Sequence, residues 1–390
     1  MSRLITSESV TEGHPDKVAD IVSDALVDAY LEADSDSRVA VETAVKDGLV
    51  LLAGEVSAPV TLDHVQIARQ AIRDIGYTTA ESGIDPDGAG VINNIRPRVF
   101  DNSTGDFGDT EGLSRDDAYN TFGGDQGVII GYASDDTKAY LPLPIAAANQ
   151  LTLRLARARH DGTVPLLRPD GKVLVTVEYD EQLHPLRFHT VLVSAQHSPD
   201  LPLDELRAQV RAEVVEPVLA QYDVSSADAD IVVNRATFIG GGPKADAGVT
   251  GRKIIVDTYG GFGGHGGGAF SGKDPRKPDR SAAYGARWAA KNIVAAGLAR
   301  RARVVLGYLW RTAQPVSIDV ETYGTETVDR ERIQRAVERT FDFRQLAIID
   351  RLDLRRPIYR QTAAGGHFGR DEPDFTWERT DRVEELRTNL

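Results

Sequence analysis

The stretch RKIIVDTYGGFGGHGGGAFSGKDPRKPD, residues 252–279, organises the rest of the chain. Its apolar, β-branched beginning, Ile254 to Val256, predicts a β-strand. Seven glycines follow between positions 260 and 268, and Lys273 and Lys277 lie just beyond them. Successive backbone N–H groups of a glycine-rich loop form a concave anion site, and neighbouring cations favour a phosphate chain as the anion. The stretch therefore predicts a phosphate-binding site.

Residues 267–273 have the spacing of a Walker phosphate loop, G-x-x-x-x-G-K, but the context differs. Asp274 stands where Ser or Thr would hold the metal. Pro275 and Pro278 follow, so we expect the next helix to begin only at Ser281. A flexible linker with solvated charges is the simpler interpretation. A linker would not also combine a strand, a histidine and alternating Lys and Asp residues, so we favour the binding site.

Composition limits the possible functions. A formal net charge of −14 over 390 residues argues against binding to nucleic acid or to an anionic membrane. The chain has no cysteine, which excludes disulfides, thiolate metal sites and a cysteine nucleophile. The polar N-terminus does not resemble a signal peptide, and no apolar run is long enough to span a bilayer. We expect a cytoplasmic protein.

A helix is predicted to begin at Pro15, directly after His14. An acidic residue recurs at every fourth position along it: Asp16, Asp20, Asp24 and Asp28. We expect Asp24 and Asp28 to lie on a solvated face. Asp16 differs because it lies in the first turn beside His14, where a carboxylate can hold Mg²⁺ together with substrate phosphates.

Hairpins and helices alternate along the chain. The predicted strand pairs are 38–45 with 49–56, 173–179 with 186–193, and 302–309 with 316–322, and a turn is expected at 168–172. The predicted helices cover 63–75, 142–159, 203–220, 281–298 and 330–340, and the tail is expected to be irregular. In the first hairpin, Glu42 and Glu55 either lie on a wet face or point to a common site, and the sequence does not decide between these possibilities.

This pattern predicts an α+β protein of three similar domains, each an antiparallel or mixed β-sheet covered by α-helices. We divide the chain into an N-terminal domain (1–100), a lid and connection (101–124), a central domain (125–232) and a C-terminal domain with the glycine-rich loop (233–390). The segment 85–124 has no sustained periodicity. A connection of that length is typical of a functional lid or of disorder.

Four motifs, taken together and in order, resemble those of S-adenosylmethionine synthetases. They are GHPDK at 13–17, GDQG at 124–127, TGRKIIVDTYGG at 250–261 and HGGGAFSGKD at 265–274. The resemblance extends from Thr6 to about Trp377. It implies that methionine sulfur attacks C5′ of ATP in line, and that the released triphosphate is hydrolysed to phosphate and pyrophosphate. It also implies a homodimer or homotetramer with active sites between subunits, two Mg²⁺ per site and one K⁺ per subunit.

The resemblance carries site roles to matching positions. Catalysis falls to His14, Arg252 and Lys273. ATP binding is implied for His14, Asp170, Lys172, Phe238, Asp246, Arg252, Lys253, Ala269 and Lys273. Methionine binding is implied for Glu55, Arg98, Asp246 and Lys277, Mg²⁺ binding for Asp16 and Asp279, and K⁺ binding for Glu42. We expect His197 and His367 to have structural roles.

The sequence departs from the family pattern mainly on the amino-acid side. Arg98 falls near the position of a glutamine that contacts the amino acid, and Trp310 replaces a smaller apolar residue of the methionine pocket. An arginine that contacts ATP is replaced by Thr237, with Arg235 close by, and Gly264 replaces another cation. Trp310 would make the methionine pocket smaller.

Three alternatives to an ordinary synthetase follow from these departures. The chain could be a paralogue that uses a methionine analogue, or a triphosphatase that has lost alkyl transfer. A regulatory subunit without activity is the weakest alternative, because His14, Asp16, Lys273 and Asp279 are all present.

Overall fold

Three antiparallel hairpins form the framework of the fold in the computed structural model, which describes residues 2–98 and 112–390. The strands are β1 (Arg3–Val10), β2 (Arg38–Lys46), β3 (Leu49–Ser57), β4 (Gly90–Pro97), β5 (Gly127–Ser134), β6 (Leu167–Tyr179), β7 (Pro185–His197), β8 (Asp230–Val233), β9 (Gly248–Val249), β10 (Arg301–Tyr308) and β11 (Ser317–Glu321). The three predicted hairpins are confirmed as β2–β3, β6–β7 and β10–β11.

Helices cover these hairpins. They are α1 (Pro15–Ala33), α2 (His64–Ile75), α3 (Arg115–Thr121), α4 (Leu143–His160), α5 (Leu203–Val210), α6 (Glu216–Leu219), α7 (Gly242–Ala245), α8 (Ile254–Asp257), α9 (Pro278–Ala295), α10 (Arg330–Thr340), α11 (Gln345–Arg351) and α12 (Val383–Thr388). Among the described residues, no helix has the length and apolar character needed to cross a membrane.

The strands assemble into three sheets, ordered β1-β6-β7-β8, β11-β10-β5 and β4-β3-β2-β9. Two sheets are mixed, because β3 pairs with β4 and β7 pairs with β8 in parallel. Helix α1 packs on β2, α4 on β6 and β1, and α9 on β5 and β10. This arrangement confirms the predicted α+β fold of three domains.

Apolar alternation in the strands drives this packing. Val39 and Val41 of β2 and Val18 and Val22 of α1 are almost completely buried against one another's elements. Each such side chain contributes about 1.5–3 kcal/mol relative to an exposed position. The opposite face of β2 and β3 stays open, and that face carries the candidate site.

The strand predicted at Ile254–Val256 is wrong, because these residues begin the single helical turn α8. Asp257 is buried whereas Ile255 is exposed. In a strand, these two side chains would share a face. A helical turn separates them, so that the Asp257 carboxylate reaches the buried ammonium of Lys17.

Other local predictions were also wrong. Helix α9 begins at Pro278 rather than Ser281, because proline at the first helical position loses no hydrogen bond. The turn expected at 168–172 lies within β6, where an irregular register accommodates the extra residues. By contrast, the helix expected at 203–220 is present as α5 and α6, which are joined by a π-helical turn at Arg211–Val215.

Regular structure is also present where we expected little. Strand β4 and helix α3 lie in the segment 85–124, and α11 and α12 lie in the tail. Residues 99–111 fall outside the described part of the chain, so the lid predicted at 101–124 is described only from residue 112. The solvated face predicted for Asp24 and Asp28 is wrong: Asp24 is fully buried, and Asp28 accepts backbone hydrogen bonds from the tail.

Candidate functional site

Helix α1 begins at a compact group that we call the His14 cluster: His14, Asp16, Arg252 and Lys253. The Asp16 N–H donates to Nδ1 of His14 at 3.2 Å, so His14 caps the helix. The Asp16 carboxylate is buried, and it lies 2.5 Å from Lys253 Nζ and 3.5 Å from Arg252 Nη1. The cluster therefore combines one carboxylate, two cations and one imidazole.

Burial sets the charge state of the cluster. Burial, together with the nearby Lys253 ammonium, lowers the pKa of His14 to about 4, so its imidazole is neutral at pH 7. Burial alone would raise the pKa of Asp16, but hydrogen bonds from Lys253 and from the Val249 N–H hold the pKa of that carboxyl below its usual value. Asp16 is therefore an anion, and the neutral imidazole of His14 can accept one hydrogen bond and donate another.

Lys172 and Asp246 lie close enough to His14 to influence its pKa. The nearby Asp170 carboxylate is buried and accepts the Gly242 N–H at 2.8 Å. Burial raises the pKa of Asp170 to about 6. The structure thus gathers most of the predicted ATP-binding residues beside the His14 cluster.

Two further predicted ATP residues lie in the same region. A Cβ added at Gly241 would lie 3.0 Å from the ring of Phe238 and 3.1 Å from Asp170 Oδ2, so both side chains border this glycine. Ala269 is packed against Gly251, whose φ of +79° suits glycine. The Phe238 N–H donates to His197 Nε2 at 3.2 Å, consistent with a structural role for that histidine.

Lys273 and Asp279 form a second group, with 2.5 Å between Lys273 Nζ and Asp279 Oδ2. Lys273 forms an isolated β-bridge with Ala40 of β2, so the glycine-rich stretch extends the sheet that contains β2. A Cβ at Gly268 would lie 2.2 Å from Asp279 Oδ1. The loop must therefore be glycine at that position for its backbone to approach the carboxylate.

A cavity of about 240 Å³, which we call the Lys277 pocket, lies between the open face of the first sheet and the C-terminal domain. Three of the four predicted methionine residues line it, namely Glu55, Arg98 and Lys277, and Trp310 forms part of its wall. Glu55 Oε2 lies 3.4 Å from Arg98 Nε. The fourth residue, Asp246, is not among the residues that line the pocket.

The residue-by-residue prediction missed other residues that line this pocket. They include Phe122, Asp125 and Arg276. The signal for Asp125 was present, because it belongs to the quoted GDQG motif. Phe122 and Arg276 carry no such signal; the Arg276 guanidinium lies 5.6 Å from the centre of the Phe122 ring, a contact that only the fold reveals.

Glu42 and Glu55 lie on the same open face of the first sheet. In the register of β2 and β3, Glu42 is opposite Ala53 and Glu55 is opposite Ala40. Both side chains are exposed. Of the two possibilities left by the sequence, the wet face agrees with this exposure. A common site stays a prediction, because Glu55 lines the Lys277 pocket and Glu42 is not among its lining residues.

Within residues 2–98 and 112–390, no hydrogen bond or ion pair joins the His14 cluster to Lys273, Asp279 or the pocket residues Glu55, Arg98 and Lys277. The same described residues contain no group of three His, Asp or Glu side chains arranged to hold a metal. The described part of the chain therefore holds the predicted site residues in separate groups.

The models of one protein family match three parts of the sequence that together make up most of the chain. Those for the N-terminal, central and C-terminal domains of S-adenosylmethionine synthetase match residues 2–99, 120–237 and 240–379. The chain belongs to the S-adenosylmethionine synthetase family. The resemblance inferred from four motifs is thereby confirmed.

Proteins named S-adenosylmethionine synthase are similar to this chain over nearly its full length. The S-adenosylmethionine synthase of a Nocardioides species is 53% identical over 388 residues, covering 99% of this chain and 98% of that protein. That of Pseudothermotoga lettingae is 50% identical over 391 residues, covering 99% of both. The predicted enzyme class, a methionine adenosyltransferase that makes S-adenosylmethionine, is confirmed.

Proposed function

We propose that this synthetase catalyses in-line attack of methionine sulfur on C5′ of ATP, followed by hydrolysis of the released triphosphate to phosphate and pyrophosphate. The observation that carries the proposal is the stretch 252–279, which places Arg252 and Lys253 beside Asp16 and Lys273 beside Asp279. A triphosphate leaving group needs concentrated positive charge more than it needs covalent catalysis.

His14 has a specific task in this scheme. Its Nδ1 accepts the Asp16 N–H, so the neutral imidazole carries its proton on Nε2. That N–H can donate to the oxygen of the breaking C5′–O5′ bond, where negative charge develops. Arg252 and Lys273 stabilise the charge on the outer phosphates, and Asp170, Lys172, Phe238, Lys253 and Ala269 bind the rest of ATP.

We propose that Asp16 and Asp279 each hold one Mg²⁺ and that Glu42 holds K⁺. The donor set fits, because Mg²⁺ is commonly bound by one or two carboxylates and completed by substrate phosphates and water. Asp16 and Asp279 already face Lys253 and Lys273, the cations assigned to the same phosphates. Bound Mg²⁺ would neutralise the charge that develops on the triphosphate.

The Lys277 pocket supports a role in binding the amino acid. Lys277 and Arg98 can pair with the methionine carboxylate, and Glu55 and Asp246 with its ammonium group. Glu55 and Arg98 are both about half exposed, so these charges remain accessible to a substrate.

We propose a homodimer, alone or within a tetramer, in which the His14 cluster of one subunit meets the Lys277 pocket and Lys273 of its partner. Two observations support it: among the described residues no hydrogen bond or ion pair joins the two groups, and the open sheet face exposes apolar side chains. Leu51 of β3 is 37% exposed, and its neighbour Ile92 on β4 is 54% exposed. A second copy would cover this apolar face.

Mixed dimers test this arrangement. Asp16→Asn and Lys273→Ala subunits, each inactive alone, should recover about a quarter of wild-type activity when assembled at random, because each mixed dimer then contains one intact site. If each site lay within one chain, no activity would return. Two wild-type-like controls, Asp223→Asn and Lys138→Ala, should keep full activity in the same mixture.

Product analysis tests the reaction itself. Incubation with ATP, Mg²⁺, K⁺ and methionine should give S-adenosylmethionine, phosphate and pyrophosphate by mass spectrometry. Phosphate release without a sulfonium product would instead indicate a triphosphatase. Identity over nearly the whole chain does not favour that alternative, nor a paralogue that uses a methionine analogue.

A further inference from the structure

The acidic residues of α1 that recur every fourth position do not face water. Each accepts backbone N–H groups from a segment far away in the sequence. The donors are Val249 to Asp16, Gly251 to Asp20, Gly272 to Asp24, and Tyr359 and Arg360 to Asp28, at 2.8–3.1 Å. One helix thus holds three separate segments along its length.

Two of these contacts lie directly beside the phosphate cations. Gly251 precedes Arg252 and Lys253, and Gly272 precedes Lys273. We propose that Asp20 and Asp24 are positioning residues for these cations. One rigid helix then fixes both the cations of the His14 cluster and Lys273, which serve two different sites of the proposed dimer. This inference rests on the proposed role of the cations in binding triphosphate.

Asp20 contacts one end of the first segment directly and the other end through Lys17. Its Oδ1 accepts the Gly251 N–H at 2.9 Å, and its Oδ2 accepts from Lys17 Nζ at 2.9 Å. The same ammonium also donates to Asp257, which ends the helical turn α8. Lys17 and Asp20 therefore hold both ends of the segment that carries Arg252 and Lys253, and both ion pairs of Lys17 are buried.

Asp24 fixes the second segment through a fully buried partner, Arg280. Asp24 Oδ1 accepts the Gly272 N–H at 2.8 Å. The Arg280 guanidinium binds both Asp24 oxygens, at 2.7 and 2.8 Å. The same guanidinium donates at 3.0 Å to the carbonyl oxygens of Phe270 and Lys273. The backbone of Lys273 is therefore held by this bidentate ion pair in addition to the bond from its own N–H to the Phe270 carbonyl at 3.3 Å.

Buried ion pairs contribute little net stability, because the cost of desolvating both charges offsets their attraction. A role limited to stability would therefore not require this arrangement. Positioning does, because small displacements of catalytic cations reduce rates strongly. Asn at position 24 would keep the size of the side chain but would lose the charge that orients Arg280.

Steady-state kinetics of Asp24→Asn with varied ATP test the proposal. We expect kcat/KM for ATP to fall by about 10- to 100-fold, mainly through KM, while KM for methionine changes less than about threefold. Hydrolysis of added triphosphate should weaken in parallel. A purely structural role would lower the amount of folded enzyme and thus kcat, but it would leave KM for ATP unchanged, and that result would overturn the proposal.

Asp28→Asn is the matched control. Asp28 lies on the same helix and accepts backbone N–H groups in the same way, but the segment that it holds, Tyr359 and Arg360, carries no assigned phosphate cation. We expect its KM for ATP to equal that of the wild type. An equal rise of KM for ATP in both variants would contradict a specific role for Asp24.

Two more variants keep the test decisive. If Asp24→Asn does not fold, Arg280→Lys retains the charge but loses the bidentate geometry and should raise KM for ATP in the same direction. An unchanged KM for ATP in Arg280→Lys would then refute the proposal. Lys273→Ala distinguishes failure of the proposed function from failure of this inference. If Lys273→Ala leaves the use of ATP intact, the proposed role of Lys273 in phosphate binding is wrong, whatever the role of Asp24.

Discussion

The His14 cluster and the Lys277 pocket differ in how their charges are held. In the cluster, the Asp16 side chain is 2% exposed and is surrounded by two cations and a backbone N–H. In the pocket, the side chains of Glu55 and Arg98 are 52% and 46% exposed. The half proposed to bind phosphate is therefore held by buried contacts within the chain, whereas the half proposed to bind the amino acid is open to water.

This difference sets the expected cost of changing a residue in either half. A buried ionic group cannot lose one partner without leaving an uncompensated charge, which costs several kcal/mol. Exposed pairs contribute at most about 1 kcal/mol, so they can be replaced with little loss. The departures Arg98 and Trp310 lie in the open pocket, and the His14 cluster keeps every motif residue.

The largest effect should come from Asp16→Asn. The change leaves Lys253 and Arg252 without their shared anion and removes the proposed Mg²⁺ ligand, so we expect a loss of about 10³-fold in the rate of S-adenosylmethionine formation. The rate is measured at saturating substrates. The control is Asp223→Asn, which changes an exposed carboxylate outside the site. Near-normal activity of Asp16→Asn would contradict the proposed difference between the two halves.

Lys273→Ala should lower kcat/KM for ATP by about 10²-fold, because one cation of the phosphate surface is lost. The KM for methionine should change little, since the Lys277 pocket is retained. Lys138→Ala, at an exposed lysine outside the site, provides the comparison. Equal effects of Lys273→Ala on ATP and methionine would mean that the two halves are not separate.

Asp170 offers a pH test of burial in the phosphate half. Its pKa is raised to about 6 in the folded protein, so the contribution of this group to stability is lost as pH rises from about 4 through 6. This loss is absent in Asp170→Asn. The free energy of unfolding of the variant, relative to that of the wild type, should therefore rise by roughly 2 kcal/mol between pH 4 and pH 7. Urea unfolding at several pH values measures the difference, and a difference independent of pH would contradict the raised pKa.

The smallest effect is expected for Trp310→Ile in the open pocket. Removing the indole enlarges the pocket, so kcat/KM for ethionine should rise several-fold relative to that for methionine. Competition between the two amino acids measures this ratio. Val316→Ala, another exposed apolar position, is the control, and an unchanged ratio would show that Trp310 does not limit the pocket.

Local patterns in the sequence identified most of the framework. The three hairpins and helix α10 were predicted because alternation and helical periodicity are local properties. The acidic residues of α1 were misjudged because their partners lie more than 200 residues away, as for Asp24 and Arg280, and no local pattern carries that information. The turn at Ile254–Asp257 failed for the same reason, since its partner is Lys17.

The site was predicted through its motifs rather than through its geometry. GHPDK and HGGGAFSGKD singled out His14, Asp16 and Lys273, and the fold places Asp16 against Arg252 and Lys253 of the glycine-rich stretch. The roles of these residues stay predictions. The motifs did not indicate which side chains share a pocket: Phe122 and Arg276 line the Lys277 pocket, and Asp246 lies apart from it. Such groupings depend on pairings between distant strands, such as β2 with β9.

The pairing of β1 with β6 has a consequence for synthesis on the ribosome. Arg3 lies opposite Tyr179, so the first strand to emerge must wait for about half of the chain before its partner exists. Similarly, β5 pairs with β10, more than 160 residues later. Contacts of this separation slow folding and leave strand edges exposed in the nascent chain. Because each of these sheets draws a strand from a distant part of the chain, we expect that the three domains cannot fold one after another.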